Sequence, residues 1–217
     1  MIVETTAVGP RTHVLATDLA ALDAICDRDV NVVVVSRPPV MAGEPRWPSE
    51  LARTWEGATE AFDAATFVSG LEDASLRRVV ADDLTLLVPR FARLAKRNHV
   101  RVRLESIESD ACRKLHADQI GLRLVVTYAG PGTEWVASED VDRAQLGRVD
   151  IDVEENNLAI IRRRPVVRRT RAFDVVLMKG DAYPGSEGRG AVHRSPPIEG
   201  TGTRRLVLKI DVPQCGC

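Results

Sequence analysis

Aromatic residues are scarce in this chain, and its charges are almost balanced. Phe, Trp and Tyr make up 4% of the 217 residues, and the formal net charge is -1. Single-stranded nucleic-acid sites stack bases on more aromatic side chains than this, and phosphate-binding surfaces need a clear positive excess. The few aromatic residues and the lack of excess positive charge make nucleic acid an unexpected partner. A local basic patch is still compatible with this composition.

Long apolar runs are also missing. No stretch approaches the roughly 18 apolar residues of a transmembrane helix, and Met1–Pro10 lacks a basic region followed by an apolar run. We therefore expect no membrane segment and a cytoplasmic location. The four cysteines, Cys26, Cys112, Cys215 and Cys217, are then expected to be free thiols or metal ligands rather than disulfides.

The first half of the chain carries mainly helical patterns. Apolar residues at helical spacing predict helices over 17–26 and, most clearly, over 76–96, where Pro89 is expected to kink or split the helix. A weaker helical pattern covers 50–67. The β-branched run 31–35 predicts one short buried strand.

Strand patterns take over after residue 98. Alternating or β-branched runs predict strands over 100–104, 122–128, 149–153, 158–161, 173–178 and 206–212. Short strands separated by turn residues are typical of a sandwich or small barrel. We predict an α+β fold in which residues 1–98 form a mainly helical section packed on a double-stranded β-helix (cupin or jelly-roll) core of residues 99–217.

One pair of residues combines an imidazole and a carboxylate at a spacing that suits metal binding. His116 and Asp118 are two residues apart, so in an extended segment both point to one face. His193, shortly before the last predicted strand, is the best candidate for a third ligand. Two imidazoles and one carboxylate form the facial triad of non-haem Fe(II) oxygenases, which leaves metal positions open. The alternative is that these residues make ordinary hydrogen bonds.

Oxygenases of this type that use 2-oxoglutarate need a cation to hold the distal carboxylate of that co-substrate. Arg204 and Arg205 follow His193 closely, and a guanidinium binds a carboxylate bidentately. Strand phase places Arg204 with Leu206 on the predicted interior face and Arg205 outside, although a bulge would exchange them. Tyr128 is a further candidate for contacting the co-substrate.

Three other features leave alternatives open. Cys112 is either a small buried residue or a fourth ligand, which would favour zinc. Cys215 and Cys217 are either inconsequential or a dithiol that captures a soft metal. The arginine-rich segment 162–171 is expected to be a solvated face, with phosphate binding as the alternative.

Longer motifs support a family resemblance. They occupy 112–118 (CRKLHAD), 122–124 (LRL), 127–135 (TYAGPGTEW), 179–180 (KG), 193–197 (HRSPP) and 205–206 (RL). Together they resemble a bacterial, cupin-like domain family of unknown function over roughly Leu84–Asp211. More distantly, the layout is similar to that of the 2-oxoglutarate/Fe(II) dioxygenase superfamily.

The resemblance implies a cupin-like fold with a metal at His116, Asp118 and His193, and it favours Arg205 over Arg204. It also implies a link with zinc homeostasis. Two hypotheses follow: an Fe(II)/2-oxoglutarate-dependent oxygenase with an unidentified small-molecule or protein substrate, or a non-catalytic zinc-binding protein. An inward-facing arginine distinguishes them, because only the oxygenase needs one. No catalytic residue beyond the metal ligands is predicted.

Overall fold

The computed structural model describes residues 11–41, 45–110, 112–162 and 167–213. It has a mixed α/β fold built on a seven-stranded and a three-stranded β-sheet. The strands are β1 (His13–Ala16), β2 (Val32–Val35), β3 (Ala52–Ala58), β4 (His99–Ile107), β5 (Leu122–Ala129), β6 (Glu134–Val136), β7 (Arg168–Arg169), β8 (Val175–Lys179), β9 (Val192–Arg194) and β10 (Arg205–Asp211). The α-helices are α1 (Ala64–Phe67), α2 (Ala74–Ala95) and α3 (Val153–Ile160). The 3-10 helices are Leu19–Cys26, Thr59–Ala61, Ser138–Asp140 and Arg143–Gln145.

The large sheet brings distant parts of the chain side by side. Its order is β1-β2-β8-β5-β10-β4-β3, in which β1 and β2 are parallel and the other neighbours are antiparallel. The small sheet has the order β7-β6-β9 and is antiparallel. Strand β10, close to the end of the described chain, therefore lies inside the large sheet, between β5 and β4.

Both faces of the large sheet are buried along its inner strands β2, β8, β5 and β10. One face packs against α2, with Leu124 and Leu208 of the sheet in the same core as Leu84 of the helix. The opposite face packs against the small sheet, where Val207 and Trp135 share a second core. A strand buried on both faces has a continuous apolar run instead of alternation, which explains the four consecutive valines of β2.

Helix α2 has the extent that its apolar periodicity predicts. Asp73 caps its start by accepting hydrogen bonds from the amides of Ser75 and Leu76, and Lys96 ends it in the left-handed conformation at φ 52°. Pro89 lies inside the helix, which continues through that position. No helix in the described ranges has both the length and the apolar character that crossing a bilayer requires.

The N-terminal section is more than a helical layer on the core. Strands β1 and β2 extend the large sheet through β8, and β3 pairs with β4 along its whole length. The expectation of a helix over 50–67 was wrong for Ala52–Ala58, which forms β3. This edge strand has no buried residue, so it lacks the apolar alternation by which strands are recognised.

The predicted strands over 149–153 and 158–161 were also wrong, because helix α3 occupies most of this region. The side chain of Asp152 caps the helix by accepting a hydrogen bond from the amide of Glu154. Glu154 and Glu155 then place negative charge in the first turn, where the helix dipole favours it. The predictions over 100–104, 122–128, 173–178 and 206–212 are confirmed as β4, β5, β8 and β10, with shifted ends.

Candidate metal centre

A short backbone pairing brings the two predicted histidine ligands together. His116 and His193 face each other in an isolated antiparallel bridge, in which each amide donates to the other residue's carbonyl oxygen, at 3.1 and 3.0 Å. Residues directly opposite each other in such a pair point to the same face. Their rings accordingly lie close, with centroids 4.7 Å apart and planes tilted by 46°.

The carboxylate of Asp118 joins the two imidazoles. Its Oδ1 lies 3.6 Å from Nε2 of His116, and its Oδ2 lies 3.4 Å from Nε2 of His193. One donor atom from each residue lies within 4.8 Å of the other two. The structure therefore assembles the predicted group of two histidines and one aspartate around one point.

The donor set fits a divalent metal. Nδ1 of His116 lies 2.8 Å from the carbonyl oxygen of Lys114, and Nδ1 of His193 lies 3.1 Å from that of Ala191. In the neutral form of each ring this contact favours the proton on Nδ1, which leaves Nε2, the nitrogen nearest Asp118, available to bind a metal. Backbone carbonyls that fix the tautomer in this way are characteristic of metal-binding histidines.

The surroundings set different pKa values for the three groups. Burial lowers the pKa of His193 to about 4, so this imidazole is neutral at pH 7. Contact with Asp118 raises the pKa of His116 above its usual 6.5, against the opposing effect of burial. Burial disfavours ionised Asp118, but His116, His193 and Arg123 together hold its pKa far below its usual value. Asp118 is therefore a permanent carboxylate.

Arg123, which the sequence analysis missed, holds Asp118 in place and is itself held by Asp211. Nη1 of Arg123 donates to Oδ2 of Asp118 at 2.7 Å, and Nη2 of Arg123 donates to Asp211 at 3.2 Å. Arg103 also donates to Asp211, at 2.6 Å. Asp211 is 2% exposed, and the two arginines are half-buried. Strands β4, β5 and β10 thus each contribute one member to a chain of ion pairs that ends at the candidate ligand Asp118.

Arg205, and not Arg204, lines the same cavity as the histidines. The cavity measures about 60 Å³ and includes His116, Arg123, His193, Arg194, Arg205 and Lys209 in its lining. Arg205 is 2% exposed, and its Nε donates to the carbonyl oxygen of Pro131 at 2.7 Å. Gly130 makes this turn possible, since its φ is +76° and a Cβ would lie 2.3 Å from the carbonyl oxygen of Arg204.

Strand phase placed Arg204 on the interior face, whereas in the structure Arg205 is the one that lines the cavity with the histidines. Arg204 lies over the ring of Trp47 at 4.9 Å and 3.8 Å from Glu108, outside the lining of this cavity. Leu206 belongs to the core against α2, so the more apolar face of β10 faces the helix. The face with Arg205, Lys209 and Asp211 points towards the candidate metal centre.

Tyr128 is a second correction, because it lies on the helix side of the large sheet. Its hydroxyl donates to Asp83 of α2 at 2.9 Å, and its ring packs against Phe173. Arg37 completes this buried cluster with two hydrogen bonds to Asp83, at 2.6 and 2.8 Å. Tyr128 therefore joins helix to sheet and does not line the cavity with the histidines.

The remaining predicted features lie apart from the donor group. Cys112 is exposed and lines the cavity, but its thiol is not among the clustered donor atoms in the described part of the chain. Cys215 and Cys217 fall outside the described residues. In the arginine-rich segment, Arg169 pairs with Glu134, and Arg168 lies over the ring of Trp135 at 5.0 Å.

Metal binding should release one proton in a defined pH window. Between the pKa of His193, about 4, and the raised pKa of His116, His193 is neutral, Asp118 is ionised and His116 is protonated. In this window Zn²⁺ has to displace only the proton of His116. The affinity of the protein for Zn²⁺ should therefore rise tenfold per pH unit and become constant above the pKa of His116. Calorimetry in buffers of different ionisation enthalpy measures the proton count. Release of no proton, or of two, would contradict these assignments.

Gly180 supports the segment that carries Asp118. A Cβ at Gly180 would lie 2.2 Å from the carbonyl oxygen of Ile120 and 2.6 Å from that of Asp118. We expect Gly180→Ala to displace this segment and to weaken Zn²⁺ binding about tenfold or more, the range seen when groups that orient metal ligands are lost. Gly121→Ala is the matched control, because a Cβ there meets nothing within 4 Å. Equal Zn²⁺ affinities in the two variants would show that this contact does not position Asp118.

Comparison with solved structures finds distant similarity. The dioxygenase for auxin oxidation from rice is 13% identical with a TM-score of 0.46, covering 94% of this chain and 83% of that chain. Dioxygenase for auxin oxidation 1 from Arabidopsis thaliana, in complex with 2-oxoglutarate, is 15% identical with a TM-score of 0.43, covering 82% and 70%. AviO1 from Streptomyces viridochromogenes is 15% identical with a TM-score of 0.39, covering 93% and 97%.

Comparison at the level of sequence identifies the family. No curated protein matches the sequence. The family described as "Protein of unknown function (DUF1826)" matches residues 16–211, which extends well beyond the N-terminal limit of the resemblance carried by the motifs. Because this match includes most of the 217 residues, the chain belongs to the DUF1826 family.

Proposed function

We propose that this protein is a non-haem Fe(II)/2-oxoglutarate-dependent oxygenase built on a double-stranded β-helix. In this proposal His116, Asp118 and His193 hold the metal, and Arg205 binds the distal carboxylate of 2-oxoglutarate. The observation that carries the proposal is a buried guanidinium with no carboxylate in ion-pair contact among the described residues, beside a group of side chains that could hold a metal.

The charges around the cavity single out Arg205. Lys209 pairs with Glu105, Arg194 pairs with Glu134, and Arg123 bridges two aspartates. Arg205 makes no ion pair with any described residue, and burial lowers its pKa to about 10. The charge of Glu134 opposes this effect, but Glu134 forms its ion pairs with Arg169 and Arg194. A buried cation without an ion-pair partner is costly, so the site is suited to an anion that supplies one.

The size of the cavity is consistent with a carboxylate. Its volume of about 60 Å³ corresponds to roughly two water molecules, at about 30 Å³ each, which is room for one carboxylate group. The whole of 2-oxoglutarate is larger, so in this proposal the cavity widens when the co-substrate binds. Arg205 donates to Pro131 and Thr127, and the remaining N–H groups of its guanidinium are available to a carboxylate. An incoming carboxylate would replace water and form the charge-assisted hydrogen bonds that Arg205 lacks.

The side chains divide the chemical work. Iron and 2-oxoglutarate would together supply the oxygen chemistry that couples decarboxylation of the ketoacid to oxidation of a substrate. Three protein ligands leave open positions on a six-coordinate metal. The carbonyl oxygens of Lys114 and Ala191 orient the two imidazoles, and Arg123 orients the carboxylate of Asp118.

The alternative, a non-catalytic zinc site, accounts for fewer of these features. A closed zinc site needs a fourth ligand, and within the described ranges Cys112 does not join the donor group. A buried arginine without an ion-pair partner would also disfavour zinc storage, because the positive charge of Arg205 repels the bound Zn²⁺. Zinc binding without catalysis is therefore the weaker proposal.

Turnover of 2-oxoglutarate tests the proposal. Purified protein supplied with Fe(II), ascorbate and oxygen should convert 2-oxoglutarate to succinate, and Asp118→Ala should remove this activity. Asp82→Ala is a matched control, since Asp82 is exposed on α2 away from the cavity. Succinate formation that survives in Asp118→Ala would reject the assigned ligands, and its absence from the wild type at any metal supply would reject the oxygenase.

A further inference from the structure

A second and larger cavity lies apart from the candidate metal centre. It measures about 510 Å³ and is bounded by the C-terminal end of α2, the loop that follows β8, and the ends of the 3-10 helix Leu19–Cys26 and of β10. Leu94, Ile120 and Val212 contribute apolar surface to its lining. This volume is within the usual range for small-molecule sites, and nothing in the proposed oxygenase chemistry uses it.

The charged side chains in the lining are all positive. They are Arg28, Lys96, Arg97 and Lys179. Arg28 and Lys96 make no ion pair or hydrogen bond through their side chains with described residues, and Arg97 donates only to the carbonyl oxygen of Lys96. Two carboxylates occur nearby, but Asp29 pairs with Arg189 and Asp27 accepts a hydrogen bond from the amide of Asp29. A recess lined by one sign of charge concentrates ions of the opposite sign.

Lys179 gives the cavity a buried cationic group. The residue is 2% exposed, and its Nζ donates to the backbone carbonyl oxygen of Asp27 at 2.6 Å. The same Nζ lies 4.7 Å from the ring centroid of Tyr183. Among described residues no carboxylate is within ion-pair distance of this ammonium. Buried lysines are ordinarily paired, and three donors on Nζ exceed the single acceptor present.

We propose that this cavity binds a small organic oxyanion with an apolar body. The carboxylate or phosphate head would meet Lys179, with Arg28 and Lys96 at the rim, and the apolar body would pack against Leu94, Ile120 and Val212. Carboxylate and phosphate heads share this chemistry, so each needs its own probe. Ile120 and Gly121, which line this cavity, closely follow the candidate metal ligand Asp118 along the chain. The oxyanion would contact no metal, so its binding should not depend on whether the metal centre is loaded.

Two exposed cysteines provide a readout that separates the cavities. Cys26 lines the larger cavity, and Cys112 lines the smaller one beside the histidines. Metal-free protein would be treated with iodoacetamide in the presence of 1-naphthyl phosphate, 1-naphthoate or neutral 1-naphthol, and alkylation would be followed by peptide mass spectrometry. At least one anionic probe should slow alkylation of Cys26 and leave Cys112 unchanged, and 1-naphthol should protect much less.

Charge-neutralising variants complete the test. Lys179→Met keeps the stem of the side chain and should weaken the protecting anion about tenfold or more. The double variant Arg28→Gln/Lys96→Gln, at exposed positions, serves if Lys179→Met does not fold, and it should also weaken protection. Arg78→Gln is the control, because Arg78 is exposed near the opposite end of α2.

Three results would overturn the proposal. The first is no protection of Cys26 by either anion at millimolar concentration. The second is equal protection by 1-naphthol, which would reduce the cavity to an apolar depression. The third is protection of Cys26 that persists in Lys179→Met but disappears in Arg205→Met, which would place the anion in the smaller cavity.

Discussion

Replacing His193 with alanine should reduce the affinity for Zn²⁺ or Fe(II) by at least about 100-fold. His193 supplies one of three converging donor atoms, and its ring is already neutral and oriented by the carbonyl oxygen of Ala191. Loss of a group that only orients a ligand costs about 10–100-fold in metal affinity, so loss of the ligand itself should cost more. Competition against a chromophoric chelator measures this affinity directly.

His99→Ala is the matched control for this variant. His99 stands at the start of β4 with its side chain 56% exposed, and it lies outside the donor group. Its replacement should leave metal affinity unchanged, and the melting temperatures of both metal-free variants show whether they fold. Wild-type metal affinity in a folded His193→Ala protein would mean that the three residues are not the metal site.

Replacing Arg205 with methionine should weaken 2-oxoglutarate binding to the metal-loaded protein by about 100-fold. The reason is the loss of charge-assisted hydrogen bonds, each worth about 1.5–3 kcal/mol, to the distal carboxylate. Methionine fills a similar space, so packing against the Gly130–Pro131 turn should survive. Calorimetric titration of 2-oxoglutarate into the Mn²⁺-loaded protein measures the effect.

Arg204→Met is the neighbouring control, because Arg204 contacts Trp47 outside the cavity. It should bind 2-oxoglutarate with wild-type affinity. A large loss in Arg204→Met with none in Arg205→Met would restore the assignment from strand phase. Wild-type affinity in both variants would remove the carboxylate-binding role from this strand.

The contrast between these two arginines shows where sequence reasoning fails. Alternation along β10 correctly separates Arg204 and Leu206 from Arg205 and Val207. It does not say which set faces the cavity beside the histidines, because both faces of the strand are buried. The more apolar set packs against α2, and the polar set faces the histidines. For a strand buried on both sides, hydrophobicity identifies the helix side and not the site.

Spacing in the sequence predicted two of the three members of the candidate metal group. His116 and Asp118 share a face because they are two residues apart, and the predicted partner His193 does lie beside them. The contact between His116 and His193 joins residues far apart in the chain through a single backbone bridge. No periodic pattern predicts such a pairing, so the choice of His193 depended on its position before the last strand.

The support of Asp118 was missed for a related reason. Arg123 alternates with Leu122 and Leu124 in β5 and therefore has the pattern of a solvent-facing charge. In the structure the small sheet and the loops around it cover that face, and Arg123 bridges Asp118 to Asp211. The sequence offered one signal for this ion pair. Arg123 in β5 and Asp211 in β10 carry opposite charges, and they lie opposite each other once the two strands pair.

Anaerobic titration of the wild-type protein with Fe(II) and 2-oxoglutarate tests the central claim most directly. If His116, Asp118 and His193 bind iron with open positions, a weak visible charge-transfer band should appear only when both components are present. The band should be absent from His193→Ala and present in His99→Ala. Tightly held zinc, with no band at any concentration of Fe(II) and 2-oxoglutarate, would contradict the oxygenase and favour a non-catalytic zinc site.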